Sequence, residues 1–162
     1  MERLFVAALP DADTAAALRR LPRPDERGVR WVPDENWHVT LRFLGTCDTT
    51  AVVERLGGAE LPACRASLGP AVDWLGPQLV VPVAGVDGLA AAVRAATHGI
   101  GDPPERRFRG HLTIARTRRA ATSRVLGHPV SGGFDVHEVT LVRSEPTADG
   151  ARYTIVTTFP TG

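Results

Sequence analysis

The chain has 162 residues, of which 43% are hydrophobic and 23% are charged, proportions typical of one ordinary globular domain. This composition excludes a disordered chain, a collagen-like chain and a coiled coil. With 19 basic and 18 acidic residues the net charge is +1, which argues against a duplex DNA-binding protein held by bulk electrostatics. No segment approaches the ~18 uncharged apolar residues of a membrane-spanning helix. The apolar run at the N-terminus is too short for a signal peptide, so we expect a cytoplasmic protein with no membrane partner.

The first half of the chain predicts alternating strands and helices. The predicted strands lie at 3–9, 37–45, 64–68 and 71–75, and the predicted helices at 14–21 and 49–56. Polar and apolar residues alternate in the strand at 37–45, so His38, Thr40 and Arg42 are expected on one face and the apolar residues on the other. The apolar face predicts the side of this strand that packs into the core.

The second half repeats the order strand, helix, loop, strand, starting about 76 residues later. Its predicted strands lie at 79–84, 108–116, 136–142 and 153–159, with a helix at 89–97. The strand at 108–116 again alternates, with His111 and Thr113 on one face. His38 and His111 are 73 positions apart, so they occupy matched places in the two copies. We expect a single domain over 1–162 built by internal duplication of a βαβ-like unit, with pseudo-symmetric repeats at about 1–76 and 77–162.

The predicted strands at 37–45 and 108–116 carry the motifs His38-Val39-Thr40-Leu41 and His111-Leu112-Thr113-Ile114. A single histidine of this kind is more often a polar residue on the solvent face of a strand. The same pattern on two matched strands favours a functional site that contains both histidines. A neutral imidazole can take a proton from water while a charged one gives a proton to a leaving oxygen. This pair suits in-line displacement at phosphorus, and the threonine hydroxyls can donate hydrogen bonds to the non-bridging oxygens.

The sequence favours chemistry without a metal or another cofactor. Cys47 and Cys64 have neither CxxC spacing nor a nearby histidine pair, which argues against a zinc site and against a disulfide. No carboxylate is placed to complete a metal site around the two histidines. Seven arginines and no acidic residue lie between Arg106 and Arg124, a pattern of either a solvated surface or a site for an anionic ligand.

The two His-x-Thr-x motifs, in the segments 36–45 and 107–116, resemble the signature of the 2H phosphoesterases. Within that superfamily the chain is similar to the bacterial RNA 2′,3′-cyclic phosphodiesterases, historically called 2′-5′ RNA ligases. The resemblance extends nearly from end to end and includes the segments 3–7, 29–33, 143–144 and 152–153. It implies a bilobed α+β fold in which two antiparallel sheets flank a central cleft and the helices lie outside.

The resemblance also implies roles for individual residues. His38 would be the proton donor and His111 the proton acceptor, while Thr40 and Thr113 would contact the phosphate. Arg116 matches a substrate-binding arginine of the family near the cleft. Simple alternation places Arg116 on the face opposite His111, so this role requires a bulge or a twist in the strand.

Some residues beside the motifs also carry predictions. Gly110 stands where many relatives have proline, and we expect it to loosen the start of the strand. Phe5 could stack on a nucleobase, but packing in the core is the favoured role. The remaining histidines, His98, His128 and His137, are predicted to be structural.

The function expected from these residues and the resemblance is metal-independent hydrolysis of 2′,3′-cyclic phosphate ends to a 2′-phosphate. The substrates would be RNA 3′ ends or cyclic nucleotides, the protein a monomer, and reverse ligation chemically accessible. Two alternatives remain open at this point. One is a non-catalytic nucleotide- or RNA-binding module, and the other is a related phosphodiesterase acting on another small cyclic phosphate or on a 2′-5′ linkage.

Overall fold

A computed structural model describes residues 1–118 and 121–162 of the chain. Within these residues the chain forms ten strands, three α-helices and a short 3₁₀ helix at Asp34–Asn36. The helices are α1 (Ala12–Arg19), α2 (Thr49–Gly57) and α3 (Asp87–Ala96). The strands are β1 (Glu2–Ala8), β2 (Val29–Trp31), β3 (Val39–Cys47), β4 (Cys64–Leu68), β5 (Asp73–Leu75), β6 (Gln78–Ala84), β7 (His111–Thr117), β8 (Gly133–Val136), β9 (Glu138–Thr147) and β10 (Gly150–Pro160). Among the described residues, no helix has both the length and the apolar character needed to cross a membrane.

Aspartate side chains fix where two of the helices begin. The Asp11 carboxylate accepts a hydrogen bond from the backbone N–H of Thr14 at 2.8 Å at the start of α1. Asp48 accepts one from the backbone N–H of Thr50 at 2.9 Å at the start of α2. These acceptors satisfy N–H groups that have no partner inside the helix.

The strands pair in antiparallel fashion and form two groups that meet at one point. The hydrogen-bonded order is β10-β9-β1-β3-β7-β6-β4-β8, with β2 beside β7 and β5 beside β6. The first four strands of this order form one group and the last four form the other, and the pair Val39–Leu112 of β3 and β7 joins them. The predicted α+β class with antiparallel sheets is confirmed. Each group draws strands from both halves of the sequence, and the division into repeats at 1–76 and 77–162 remains a proposal.

The observed strands differ from the predicted ones in number and in bounds, and β8 is a further strand that was not predicted. β2 was not predicted, because three residues are too few to show a strand period. The predicted strand at 136–142 is wrong at its start, since β8 ends at Val136 and β9 begins at Glu138. The predicted strand at 108–116 begins three residues too early, because β7 starts at His111.

The two faces of β1 pack into different clusters. Leu4, Val6 and Ala8 are fully buried in the main hydrophobic core. Phe5 and Ala7, which point to the opposite face, form a small separate cluster with Val142. β1 is therefore covered on both sides, and the Phe5 side is the face on which the site lies.

Candidate active site

The pairing of β3 with β7 brings the two His-x-Thr motifs side by side. Val39 lies opposite Leu112 in an antiparallel pair, and both side chains are fully buried in the core. Because side chains alternate along a strand, their four neighbours, the two histidines and the two threonines of the motifs, point to the opposite face. Antiparallel register then sets His38 beside Thr113 and His111 beside Thr40. The four predicted side chains thus share one face in a crosswise arrangement.

Each histidine ring is held by a backbone carbonyl two residues earlier. Nδ1 of His38 lies 2.7 Å from the carbonyl oxygen of Asn36, and Nδ1 of His111 lies 2.7 Å from that of Arg109. Since a carbonyl only accepts, Nδ1–H of each ring is the donor. Nε2 is therefore the nitrogen left to exchange a proton on both rings.

His38 is enclosed by two aromatic rings. Its centroid lies 4.7 Å from that of Phe5, tilted by 33°, and 5.4 Å from that of Tyr153, edge to face at 86°. Burial lowers the pKa of His38 below its ordinary value, and the positive charges of Arg116 and His111 lower it further. The hydrogen bond to the Asn36 carbonyl opposes this shift. The net effect favours the neutral ring of His38 in the free protein.

The two threonines differ in their hydrogen bonds. The Thr113 hydroxyl donates to the side-chain oxygen of Gln78 at 2.8 Å, which fixes its orientation. Thr40 is half-buried and lies opposite Ala7 of β1, on the face that also carries Phe5. The second motif therefore has an orienting partner, Gln78, that sequence patterns gave no means of finding.

A β-bulge in β7 determines where Arg116 points. Thr113 pairs with Val80 of β6 and Ala115 pairs with Leu79, so Ile114 is an extra residue in β7. An extra residue reverses the alternation that follows it. Arg116 therefore returns to the face of Thr113, as the predicted substrate-binding role required.

The site residues line neighbouring cavities on this face. His38, Thr113 and Arg116 line a cavity of about 130 Å³ together with Tyr153. Thr40 and His111 line a second one of about 130 Å³, and His111 also borders a larger cavity of about 360 Å³. Each of the two smaller cavities thus combines residues of both motifs. That the two rings flank a single phosphorus remains a prediction.

Gly110, which precedes the second histidine, lies close against β6. Its carbonyl accepts a hydrogen bond from the N–H of Val83 at 2.9 Å. A Cβ at this position would lie 2.2 Å from the Val83 carbonyl oxygen, so no side chain fits without a backbone shift. The glycine therefore permits a tight approach of the two strands. The expected loosening at the start of the strand stays a prediction.

The arginines between 106 and 124 do not act as one group. Arg116 reaches the cavity of His38, and Arg109 lies beside His111. Arg124 lies 3.9 Å from the Glu26 carboxylate on the surface. Arg119 lies outside the described residues. Over 1–118 and 121–162 no group of three or more histidine, cysteine, aspartate or glutamate side chains is arranged to hold a metal ion.

Comparison with known proteins identifies relatives of this arrangement. Residues 8–65 match the family described as LigT-like phosphoesterase, and no curated protein matches the chain. The crystal structure of TT0787 from Thermus thermophilus is 28% identical, covers 98% of this chain and 97% of its own, and superposes with a TM-score of 0.82. The structure of E. coli LigT complexed with 3′-AMP is 27% identical, covers 99% and 98%, and gives a TM-score of 0.77. Residues 8–65 thus match the LigT-like phosphoesterase family, and nearly the whole chain has the fold of these solved structures.

The predictions from the sequence did not include several residues that surround the two histidines. Gln78, Tyr153 and Arg30 all approach the site from strands that are distant in the chain. Phe5, predicted to pack in the core, is 4% exposed and packs against the His38 ring. The segment Arg152-Tyr153 is part of the family resemblance, and that was the one signal that pointed to Tyr153.

Proposed function

We propose that this protein is a LigT-like phosphoesterase of the 2H superfamily and that it hydrolyses the 2′,3′-cyclic phosphate of RNA 3′ ends or of nucleotides to a 2′-phosphate, without a metal ion. The observation that carries the proposal is the Val39–Leu112 pair, because it sets both His-x-Thr motifs on one face. Two imidazoles with free Nε2 atoms and two hydroxyls supply a proton acceptor, a proton donor and hydrogen bonds for phosphate oxygens.

The proposed reaction is one in-line displacement at phosphorus. Nε2 of His111 takes a proton from water as the water oxygen attacks the phosphorus. The bond from phosphorus to the 3′ oxygen breaks on the opposite side, and Nε2 of His38 gives that oxygen its proton. The phosphate stays on the 2′ oxygen, and the two rings have exchanged charge. Thr40 and Thr113 donate hydrogen bonds to the non-bridging oxygens, where charge accumulates.

The assignment of His38 as donor requires substrate to change its protonation. Burial lowers the pKa of His38, whereas a proton donor must begin charged. An anionic phosphate beside the ring favours the charged form and raises the pKa again. His38 would therefore be charged mainly in the substrate complex, so the pH dependence of kcat should differ from that of kcat/KM.

Nucleotide complexes of a relative support a nucleotide substrate. The structures of E. coli LigT include complexes with 3′-AMP, with ATP and with phosphate. That relative is 26–27% identical to this chain and nearly all of both chains superpose. These likenesses favour a nucleotide ligand in the cavities beside His38 and His111.

A chelator experiment tests the reaction and its product together. The protein is incubated in excess EDTA with 2′,3′-cyclic mononucleotides and with a cyclic-phosphate-ended oligonucleotide. We expect hydrolysis of the cyclic ring with the phosphate left on the 2′ oxygen. Loss of activity in EDTA that a divalent ion restores would contradict the acid–base roles. A 3′-phosphate product would contradict the proposed leaving group, and binding without turnover would favour the binding module.

Alanine variants separate catalysis from binding. His38→Ala and His111→Ala should each lower kcat by roughly 10²- to 10⁴-fold, the usual effect of a general acid or base. Thr40→Ala and Thr113→Ala should be milder, because each removes one hydrogen bond. The double histidine variant should be little worse than the worse single variant, since both groups act in one step. His137→Ala, an exposed position between β8 and β9, is the control. A histidine variant with near-normal kcat would exclude that residue as acid or base.

A further inference from the structure

We propose that Asn36 is a positioning residue for His38, because its backbone carbonyl fixes the histidine ring and its side chain ties that carbonyl to the strand that carries Tyr153. The inference rests on the proposed function, in which His38 gives a proton to the leaving oxygen. It assigns to Asn36 a role that acts through the orientation and the burial of the His38 ring.

Asn36 makes one contact through its backbone and another through its side chain. Its carbonyl oxygen lies 2.7 Å from Nδ1 of His38 and accepts the ring N–H. Its side-chain amide donates to the carbonyl of Ala151, 115 positions away, at 3.2 Å. Ala151 lies two residues before Tyr153 in β10, and the Tyr153 ring meets the His38 ring edge to face. Asn36 therefore contacts both the ring and the strand that covers it.

The part of β10 that carries Tyr153 extends past the neighbouring strand of the sheet. In the described residues, β1 pairs with residues 140–143 of β9, whereas β10 pairs with β9 as far as residues 147 and 150 at the turn. The end of the hairpin is therefore a two-stranded ribbon, and such a ribbon is only marginally stable by itself. The Asn36 amide supplies a hydrogen bond from outside the ribbon. It thus helps to set the place of Tyr153 beside His38.

The segment that carries Asn36 is fixed independently of this ribbon. In the 3₁₀ helix, the Asp34 carboxylate lies 2.7 Å from Arg19 of α1 and 2.7 Å from Arg23. The backbone N–H of Trp37 donates to the Asp34 carbonyl at 3.2 Å, and the Trp37 side chain is buried in the core. Asn36 therefore reaches the ribbon from a fixed turn. Loss of its amide should loosen the ribbon more than the turn.

The second motif shares the backbone contact but has a different side chain at the matching position. The carbonyl beside Nδ1 of His111 belongs to Arg109, and the Arg109 side chain lines the cavity of Thr40 and His111. The two rings therefore have the same kind of backbone partner. The difference lies in the residue two positions earlier, which at His38 is tied to the covering strand. A change at Asn36 should consequently act on His38 and leave His111 as it is.

Loosening the ribbon changes the burial of His38 more than its charged surroundings. Burial is the largest cause of the lowered pKa of His38, followed among the lowering effects by the charges of Arg116 and His111. Both of these residues belong to β7 and do not depend on the ribbon. The other charged or titratable side chains that line the cavity are Arg30, Asp149 and Tyr153. Exposure of the ring should therefore raise the pKa of His38 towards its ordinary value.

An NMR titration of the free protein tests the positioning apart from catalysis. Asn36→Leu keeps the size of the side chain but removes the amide, and it should raise the pKa of His38 while the titration of His111 stays unchanged. Glu35→Leu makes a similar exchange at an exposed position of the same 3₁₀ helix and should leave both histidines as in the wild type. An unchanged titration of His38 in Asn36→Leu, or an equal shift of both histidines, would overturn the inference.

Kinetics and a double-mutant cycle test the route through the ribbon. With adenosine 2′,3′-cyclic phosphate as the substrate, Asn36→Leu should lower kcat about 2- to 10-fold, the effect of one lost hydrogen bond, with little change in KM. In a Tyr153→Leu background the same exchange should have little further effect on kcat or on the titration of His38. Full additivity of the two exchanges would overturn the route through Tyr153.

The two measurements separate this inference from the proposed function. If the wild type does not hydrolyse the cyclic phosphate but the His38 titration responds to Asn36→Leu as expected, the proposed function is refuted and the positioning role stands. If the wild type hydrolyses the substrate and Asn36→Leu changes neither kcat nor the titration of His38, the function stands and the positioning role is refuted.

Discussion

Replacing Arg42 by methionine should destabilise the protein by about 2–5 kcal/mol. The Arg42 side chain lies in the interior at 4% exposure and has no carboxylate partner among the described residues. Its Nη1 donates to the Arg94 carbonyl at 3.2 Å and to the Thr97 hydroxyl at 3.0 Å. Its Nη2 donates to the carbonyls of Ile100 at 2.9 Å and Asp102 at 3.1 Å. One guanidinium thus holds the end of α3 and the loop that follows it.

The magnitude follows from these four hydrogen bonds. Each is worth about 0.5–1.5 kcal/mol net, and buried acceptors left without a donor add to the loss. A cation near the C-terminus of a helix is also favourable. Desolvation of the guanidinium, which lowers the pKa of Arg42, offsets part of this gain. For a chain of this length, 2–5 kcal/mol corresponds to a decrease in Tm of about 4–20 °C.

Urea unfolding followed by tryptophan fluorescence, with a parallel thermal melt, measures the change. Arg55→Met removes an exposed arginine of α2 and should stay within about 0.5 kcal/mol of the wild type. Arg42→Lys keeps the charge but loses the planar fork of donors, so its stability should fall between the other two. If Arg42→Met were as stable as Arg55→Met, the guanidinium would not anchor the helix end, and the reasoning would be refuted.

Three further predictions concern the site. Gln78→Met should lower kcat about 2- to 10-fold by releasing the Thr113 hydroxyl, and it should have no further effect in a Thr113→Val background; full additivity in the double variant would contradict the contact. Tyr153→Leu should raise the pKa of His38 in an NMR titration because it exposes the ring, whereas Tyr153→Phe should leave the pKa unchanged; equal titrations of the two variants would exclude the shielding role. Because the pKa of His38 is lowered in the folded state, the unfolded chain binds this proton more readily, so the free energy of unfolding should decrease as the pH falls below about 6.5. His38→Asn should lose less stability over that pH range, and an identical slope would contradict the burial effect.

The alternation of the sequence was sufficient to predict the strands that carry the motifs. Val39 and Leu112 are apolar because they enter the core, and this fixes the opposite face for their histidine and threonine neighbours. Paired strands with matched motifs also led to the four predicted site residues. The local pattern was therefore enough to predict the face of the sheet to which each residue of the motifs points.

Simple alternation predicts the wrong face for the arginine that follows each motif, Arg42 in β3 and Arg116 in β7. The reason is the register with the neighbouring strand. Thr40 pairs with Ala7 while Arg42 pairs with Val6, so Leu41 is a bulged residue of β3. The prediction that Arg42 shares the face of His38 and Thr40 is therefore wrong, because the bulge turns Arg42 into the core. A bulge is set by the register of the partner strand, and that register cannot be read from the alternating segment alone.

The bulges lie at equivalent places, three residues after each histidine, yet they make the two halves of the site unequal. In β7 the bulge at Ile114 brings Arg116 to the face of the histidines. In β3 the matching residue on that face is Phe43, which is 41% exposed and carries no charge.

The unequal surroundings bear directly on the proposed chemistry. The ring of His38 lies between Phe5 and Tyr153 with Arg116 nearby, and its pKa is lowered. An acid and a base in one displacement need different affinities for the proton at the same moment. Two motifs that are nearly identical in sequence can meet that need because the residues around them are different, and these come from strands far away in the chain.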